Sequence, residues 1–203
     1  MQTNELNRLL LNLVRKGAIL EVNHQAARCR VASGELQTNW IPWLSLAAGT
    51  TRAWRPPTAG EQVLLISPGG DPAEAVALCG IFSTKAPAPS DSPDTETIIY
   101  PDGAVVEYNH QAHRLTVVLP AGGEILVESP ATVTVRTKSA RLEADVVVID
   151  APTTRCTGNL EVDGAIAAGE NITTPADVKA GTVSLASHVH MEQGDGKLVG
   201  KPQ

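Results

Sequence analysis

The chain has 203 residues, enough for one or two domains, and a formal net charge of −6 from 16 basic and 22 acidic side chains. Because it contains no run of Lys or Arg, the composition argues against nucleic-acid binding, which relies on clustered positive charge. It contains neither a secretory signal nor a stretch near the ~18 consecutive apolar residues of a membrane helix, so we expect synthesis in the cytoplasm.

The N-terminal residues predict a short amphipathic helix. Apolar side chains recur at the spacing of one helical face, at Leu6, Leu9, Leu10 and Leu13. Gly17 follows this stripe, and glycine commonly ends helices, so we expect the helix to end there after about four turns at most.

Short β-type runs follow the helix. They are AILEV, CRVASG, NWIPWLSL, EQVLLIS and AVALCGIF, and turn sequences such as SGE, PPTAGE and PGGDP separate them. Five short strands in succession predict a small barrel, for which the OB-fold is a common solution. We therefore assign residues 1–84 to a helix and an OB-fold domain.

All three tryptophans and the one phenylalanine lie in the first half of the chain. Trp40, Trp43 and Trp54 could form a base-stacking platform on a barrel. Since no basic run accompanies them, we favour packing in the core or at a protein interface, and we expect no nucleic-acid partner.

The second half of the chain is predicted to be β-structure without helices. Residues 85–97, KAPAPSDSPDTET, combine prolines with Ala, Ser and Asp, a composition typical of a semi-rigid linker. Beyond it, apolar and polar residues alternate, as in RLEADVVVID, where Val146 and Val148 share one face and Asp145 lies on the other. We assign residues 98–187 to a shaft built from such strands.

The shaft sequence lacks any helix that could cover its apolar face, and it has few bulky side chains. Strands lined with small aliphatic residues can instead meet identical strands of other chains around a shared axis. An intertwined homotrimer of this kind leaves no sheet edge exposed. The predicted fold class is therefore all-β, with an N-terminal OB-fold barrel and a short helix, followed by an intertwined trimeric β-helix or β-prism shaft.

A hexapeptide repeat offers an alternative. Leu160, Ile166, Ile172 and Val178 recur every six residues, the period of a parallel β-helix. Left-handed β-helix acyltransferases are trimers that use a histidine, so the sequence SHVH could supply a general base. Four hexads make little more than one coil, however, and the strands upstream have a period of two. This enzyme class therefore remains the alternative.

The whole arrangement resembles the phage baseplate assembly protein V family. The most specific stretch is residues 55–82, RPPTAGEQVLLISPGGDPAEAVALCGIF, which is similar to the family's barrel sequence. The resemblance implies a homotrimeric spike in the tail baseplate of a virion or R-type pyocin particle. It implies docking on the baseplate hub protein, and a shaft that pierces the outer membrane of the target bacterium when the tail sheath contracts.

The C-terminal segment, residues 188–203, is the predicted apex of the spike. In a strand, His188 and His190 point to the same side, and three copies around one axis supply six imidazoles. Six nitrogen ligands disfavour zinc, which prefers four. The family resemblance implies iron, one ion per trimer on the three-fold axis. Such a closed shell is structural. By contrast, His110 and His113 are expected to line a turn.

No catalytic or cofactor-binding residue is predicted. The sequence SPGGD lacks the lysine and the following helix of a phosphate-binding loop, and its glycines favour a hairpin turn. Cys29, Cys79 and Cys156 show no C-x-x-C spacing and are interpreted as reduced, mostly packing residues. The predicted function is mechanical rather than enzymatic.

Overall fold

The computed structural model describes residues 3–189 and residue 194. His190, one of the two predicted metal ligands, lies outside the described residues. The chain divides into two compact units between Thr132 and Val133. Among the described residues, no helix combines the length and the apolar composition required to cross a membrane.

The predicted N-terminal helix is present as α1, Thr3–Asn12. Its leucine stripe is only partly covered, because Leu9 is half-buried whereas Leu6 and Leu10 are exposed. The helix therefore presents apolar side chains to its surroundings.

The predicted helix end at Gly17 is wrong. The chain changes to an extended strand at Val14, and Gly17 pairs with Val63 within the sheet. A Cβ atom at Gly17 would lie 2.6 Å from the carbonyl oxygen of Ala32. This glycine allows two neighbouring strands to approach closely, so its role is packing rather than helix termination.

Five strands form one antiparallel sheet in the order β3-β2-β1-β4-β5. They are β1 (Val14–Asn23), β2 (Arg28–Ser33), β3 (Leu36–Gln37), β4 (Gln62–Ile66) and β5 (Val76–Ile81). Side chains alternate across the sheet, so Val63 and Leu65 of β4 are buried while Ile66 is exposed. Four of the five predicted strands are confirmed as β1, β2, β4 and β5.

The remaining predicted strand, NWIPWLSL, is replaced by isolated bridges. Ile41 pairs with Cys29 of β2, and Trp43 pairs with Ala77 of β5. Pro42, between them, has no N–H group, so a continuous ladder cannot form through this segment. Because the segment bonds to β2 on one side and to β5 on the other, it closes the sheet into a small barrel.

The barrel core consists of small and aliphatic side chains, with Trp43 packed against its edge. Its buried members come from every part of the closed sheet except β3: Ile19, Cys29, Val31, Ile41, Val63, Leu65, Ala75 and Ala77. A closed core of this kind is complete within one chain.

The connection between β4 and β5 confirms the predicted hairpin turn. Gly69 and Gly70 adopt positive φ angles of 65° and 77°, and the Asp71 carboxylate accepts a hydrogen bond from the backbone N–H of Ala73. A Cβ atom at Gly70 would lie 2.3 Å from the carbonyl oxygen of Leu9. Helix α1 therefore rests directly on this turn, and only glycine leaves room for it.

A second, three-stranded antiparallel sheet has the order β6-β7-β8. Its strands are β6 (Thr95–Ile99), β7 (Val105–Asn109) and β8 (Arg114–Val118). Strand β6 begins inside the segment predicted to be a linker. Ile98, Val106 and Val117 lie opposite one another across the three strands and so share one face. Both outer members of this apolar row remain substantially exposed in the single chain.

Between Val118 and Lys179, a stretch that the structure describes without gaps, no residue belongs to a β-strand. The alternating sequences of this stretch have no ladder partner among the described residues, so the predicted shaft strands remain a prediction. Their apolar side chains are exposed: Ile125, Leu126, Val127, Val133, Val135, Leu142, Val146, Val147, Val148 and Ile149.

Candidate metal centre and assembly surfaces

A two-stranded hairpin precedes the predicted metal ligands. Strand β9 (Lys179–Ala180) pairs with β10 (Val183–Ser184), and Gly181 provides the positive φ angle of 62° that the tight turn requires. The chain then makes one further turn, so His188 lies four residues beyond the end of β10.

The position of His188 is set by the carbonyl oxygen of Ser184. This oxygen accepts the backbone N–H of His188 at 3.1 Å, and it lies 2.8 Å from the Nδ1 atom of the same residue. A carbonyl oxygen can only accept hydrogen bonds, so the Nδ1 atom carries the proton in this contact. In the neutral ring the lone pair then resides on Nε2.

The polar residues that surround Ser184 were not predicted from the sequence. The Ser184 hydroxyl group lies 3.0 Å from the backbone nitrogen of Ser187 and 2.7 Å from its hydroxyl oxygen. Asp177 accepts the backbone N–H of Ala186 at 3.2 Å. The hydrogen bond from the Ser184 side chain is the largest cause that lowers the pKa of the Asp177 carboxyl group, followed by bonds from backbone N–H groups. A serine four residues before a histidine was the available sequence signal.

The other histidines of the described chain lie elsewhere. His110 and His113 belong to the turn between β7 and β8, as predicted, and His110 forms an ion pair of 3.3 Å with Asp94 when protonated. Within residues 3–189, no three His, Cys, Asp or Glu side chains come together as a metal-binding group. A multidentate site therefore requires ligands from beyond this part of a single chain.

The cysteines of the barrel are unsuited to nucleophilic chemistry. Burial, with a smaller contribution from the Glu61 carboxylate, raises the pKa of Cys29 to about 11 and that of Cys79 to about 12. Such thiols stay protonated at neutral pH, whereas the thiolate is the reactive form. Cys29 belongs to the core, as the sequence predicted, whereas Cys156 is exposed.

The hexapeptide positions do not form a coil in the single chain. Leu160, Ile166 and Ile172 are between 69% and 76% exposed, and no strand includes them. A left-handed β-helix enzyme stacks such side chains inside its own triangular coil. The acyltransferase alternative therefore has no support from the described fold.

Comparison with known proteins gives two matches. Residues 15–82 match the model of the Type VI secretion system/phage-baseplate injector OB domain, which spans the barrel from the second residue of β1 to one residue beyond β5. The chain is also 35% identical to the spike protein of Escherichia phage P2, over 98% of this chain and 96% of that protein. The barrel topology, its position in the chain and the full-length match agree, and the chain belongs to the phage baseplate assembly protein V family of baseplate spike proteins.

Proposed function

We propose that this chain forms the central, cell-puncturing spike of a contractile-tail baseplate and acts as a homotrimer without enzymatic activity. The observation that carries the proposal is the uncovered row of aliphatic side chains between residues 133 and 149. A structural baseplate spike is what the family supports. The trimer, the puncturing step and the metal-bound apex are proposals that go beyond the family match.

The homotrimer follows from the cost of leaving the shaft uncovered. Val135, Val146 and Val148 are each between 77% and 80% exposed in the single chain. Burying one such side chain fully stabilises a fold by roughly 1.5–3 kcal/mol. Three identical chains wound around one axis bury all of these rows at once and pair every strand, which leaves no open edge. A stiff, closed shaft is also what a mechanical spike requires.

The apex is proposed to hold one iron ion between His188 and His190 of three chains. The described part of this site supports such a role, because Nδ1 of His188 lies 2.8 Å from the carbonyl oxygen of Ser184, a contact of the kind that orients metal-binding histidines. Imidazole suits iron among other transition metals. When bound, the ion would cross-link three chain ends and supply no reactive position.

Docking on the baseplate hub protein is assigned to the N-terminal part. Val14, Ile66 and Val76 form one row across three strands of the barrel, and their side chains point away from the core. Leu10 and Leu11 of α1 add further exposed apolar surface in the same unit. Exposed apolar patches of this kind mark protein–protein interfaces. The shaft would thereby remain available to enter the outer membrane of the target bacterium.

Puncturing is tested in tail particles that contain or lack this chain. We expect particles with the chain to cause ion leakage from target cells after sheath contraction, and antibodies raised against residues 98–187 to label the centre of the baseplate. Particles without the chain that still assemble, contract and cause leakage at the normal rate would contradict the puncturing role.

The apex is tested by elemental analysis of the purified assembly after metal-replete preparation. We expect one iron ion per three chains, and none in the double variant His188→Ala/His190→Ala, which should still form trimers through the shaft. Protons compete with the metal for imidazole, so the ion should be released on acidification. Substantially less than one transition-metal ion per three wild-type chains would contradict the apex.

A further inference from the structure

We propose that residues 44–55, the tryptophan loop, recognise a surface of the baseplate hub protein in which carboxylates surround an apolar pocket. This inference rests on the hub docking proposed above, and it names the residues and the partner chemistry that carry it. The loop follows the bridge between Trp43 and Ala77 of β5 and lies within the matched injector OB domain.

Hydrogen bonds hold the two ends of the tryptophan loop together. The hydroxyl group of Ser45 donates to the carbonyl oxygen of Ala53 at 2.7 Å. The backbone N–H of Ala53 donates to the carbonyl oxygen of Ala47 at 2.9 Å. Nearer the tip, Ala48 and Arg52 form an antiparallel bridge. Because the loop is closed by its own contacts, it has a defined shape before a partner arrives, and docking costs less conformational entropy.

Trp54 is held in place and is still accessible. The centroid of its ring lies 5.6 Å from that of Trp43, and Trp43 packs against the barrel core. Trp54 is nevertheless 60% exposed, and Leu46 is 90% exposed. Leu44 adds a third large apolar side chain that the barrel leaves exposed. An exposed apolar patch with an anchored tryptophan is typical of a protein–protein interface, where tryptophan is enriched among the residues that dominate binding.

The charge of this region differs from that of the whole chain. Residues 36–60 contain Arg52 and Arg55 and no acidic residue, whereas the net charge of the chain is −6. Both arginine residues are exposed, and among the described residues neither guanidinium group has an ion-pair or hydrogen-bond partner. Each of the other arginine side chains within residues 1–84 donates a hydrogen bond: Arg8, Arg15, Arg28 and Arg30. Two unpaired guanidinium groups on either side of Trp54 in the sequence favour a partner that supplies carboxylates, with which arginine forms strong, directional hydrogen bonds.

A protein surface fits the tryptophan loop better than a polyanion does. Binding to nucleic acid depends on clustered Lys and Arg that neutralise several phosphates at once. Recognition of anionic membranes relies on clusters of about four to eight basic residues. The loop offers only Arg52 and Arg55. Tryptophan next to arginine is instead the combination that is enriched at the centre of protein interfaces.

The test titrates the full-length assembly of this chain with the purified hub protein of the same tail particle, by calorimetry. We expect Arg52→Glu/Arg55→Glu to weaken binding at least about 30-fold, the loss typical of dominant interface residues. Leu46→Ala removes an exposed side chain and should weaken binding about 5-fold. The matched control is Arg28→Glu, which changes an exposed arginine of β2 that donates to the carbonyl oxygen of Ala27 and should bind as the wild type does.

Circular dichroism checks that each variant retains the barrel, and Arg52→Ala/Arg55→Ala provides a milder pair that should weaken binding about 10-fold. The affinity of the wild type should also fall more steeply with salt than that of the double glutamate variant. Wild-type affinity in both arginine variants would overturn the tryptophan loop while leaving hub docking through other surfaces of the barrel intact. A wild-type assembly that does not bind the hub protein would overturn both proposals. Loop-dependent binding to anionic vesicles or single-stranded DNA, with unchanged hub affinity, would assign the loop to that partner and overturn the inference.

Discussion

The barrel and the segment between Val118 and Lys179 contain similar aliphatic residues, but these side chains are buried in the barrel and exposed in the segment. In the barrel, Val31, Val63 and Leu65 are fully buried, because residues 41–43 close the sheet on itself. In the second region Val146 and Val148 remain exposed, since the described chain offers them no partner strand. Apolar composition alone therefore does not make a core. A core requires closure, and only the first region closes within one chain.

The largest expected effect comes from placing charge in the second region. The double variant Val146→Asp/Val148→Asp should abolish trimer formation, because carboxylates cannot be buried unpaired along a shared axis. The barrel should stay folded, since its core lies entirely within residues 19–77. Size exclusion with light scattering measures the assembly, and near-ultraviolet circular dichroism reports the tryptophans of the barrel.

The matched control for this experiment is Glu143→Gln/Asp145→Asn. These residues lie in the same stretch and on the opposite face of the predicted alternation. They should leave the trimer unchanged. Loss of the trimer in this control, or a normal trimer in the valine variant, would show that the alternation has been assigned to the wrong faces.

The barrel core predicts a smaller, local effect. Leu65→Ala should lower the free energy of unfolding of the barrel by about 2–5 kcal/mol, because it leaves a cavity in a closed core. Leu46→Ala removes the same atoms from a side chain that is 90% exposed and should change that energy by less than about 0.5 kcal/mol. Urea denaturation followed by tryptophan fluorescence compares the two. Equal effects would mean that Leu65 is not in a packed core.

The contact between α1 and the β4–β5 turn predicts an unequal pair of glycine variants. Gly69→Ala and Gly70→Ala both place a side chain at positive φ, which costs roughly 1–2 kcal/mol. Only at Gly70 would the new Cβ atom also collide with the backbone of Leu9, at 2.3 Å. We therefore expect Gly70→Ala alone to displace α1. Hydrogen exchange of the helix amides measures this, and equal protection in both variants would contradict the contact.

The mildest probe of the barrel is chemical labelling of its thiols. Burial raises the pKa of Cys29 to about 11, so at pH 8 only about one thiol in a thousand is ionised. Alkylation of Cys29 should therefore be slow in the native protein and fast in urea. The labelling rates of all three cysteines in urea provide the reference. Mass spectrometry of peptides identifies the labelled residue. Rapid native labelling of Cys29 at pH 8 would contradict its burial.

The sequence correctly predicted the elements that depend on a local residue pattern. It failed for the elements whose structure depends on contacts between distant residues. The alternation in EQVLLIS and AVALCGIF fixed β4 and β5, and the glycines of SPGGD predicted their turn. Gly17 was misjudged as a helix end because the close approach of Ala32 is a contact between distant residues. The NWIPWLSL segment became two bridges because Pro42 interrupts the ladder.

The metal ligands remain a prediction from the sequence, whereas the contacts of His188 were not predicted. The H-x-H spacing drew attention to His188 directly. Nothing in the pattern indicated that the carbonyl group of Ser184 would accept Nδ1–H of His188, or that Asp177 would accept the backbone N–H of Ala186. The second contact depends on the β9–β10 hairpin, which brings residues nine positions apart in the sequence next to each other. Short-range periodicity in the sequence does not show which residues such a hairpin brings together.

The central claim is that the second region closes only between chains, and the mass of the native assembly tests it most directly. Native mass spectrometry of the full-length protein, or light scattering coupled to size exclusion, should give about three times the chain mass of 21.3 kDa, with no folded single chain at equilibrium. A stable, fully folded monomer of 21.3 kDa would contradict the trimeric spike.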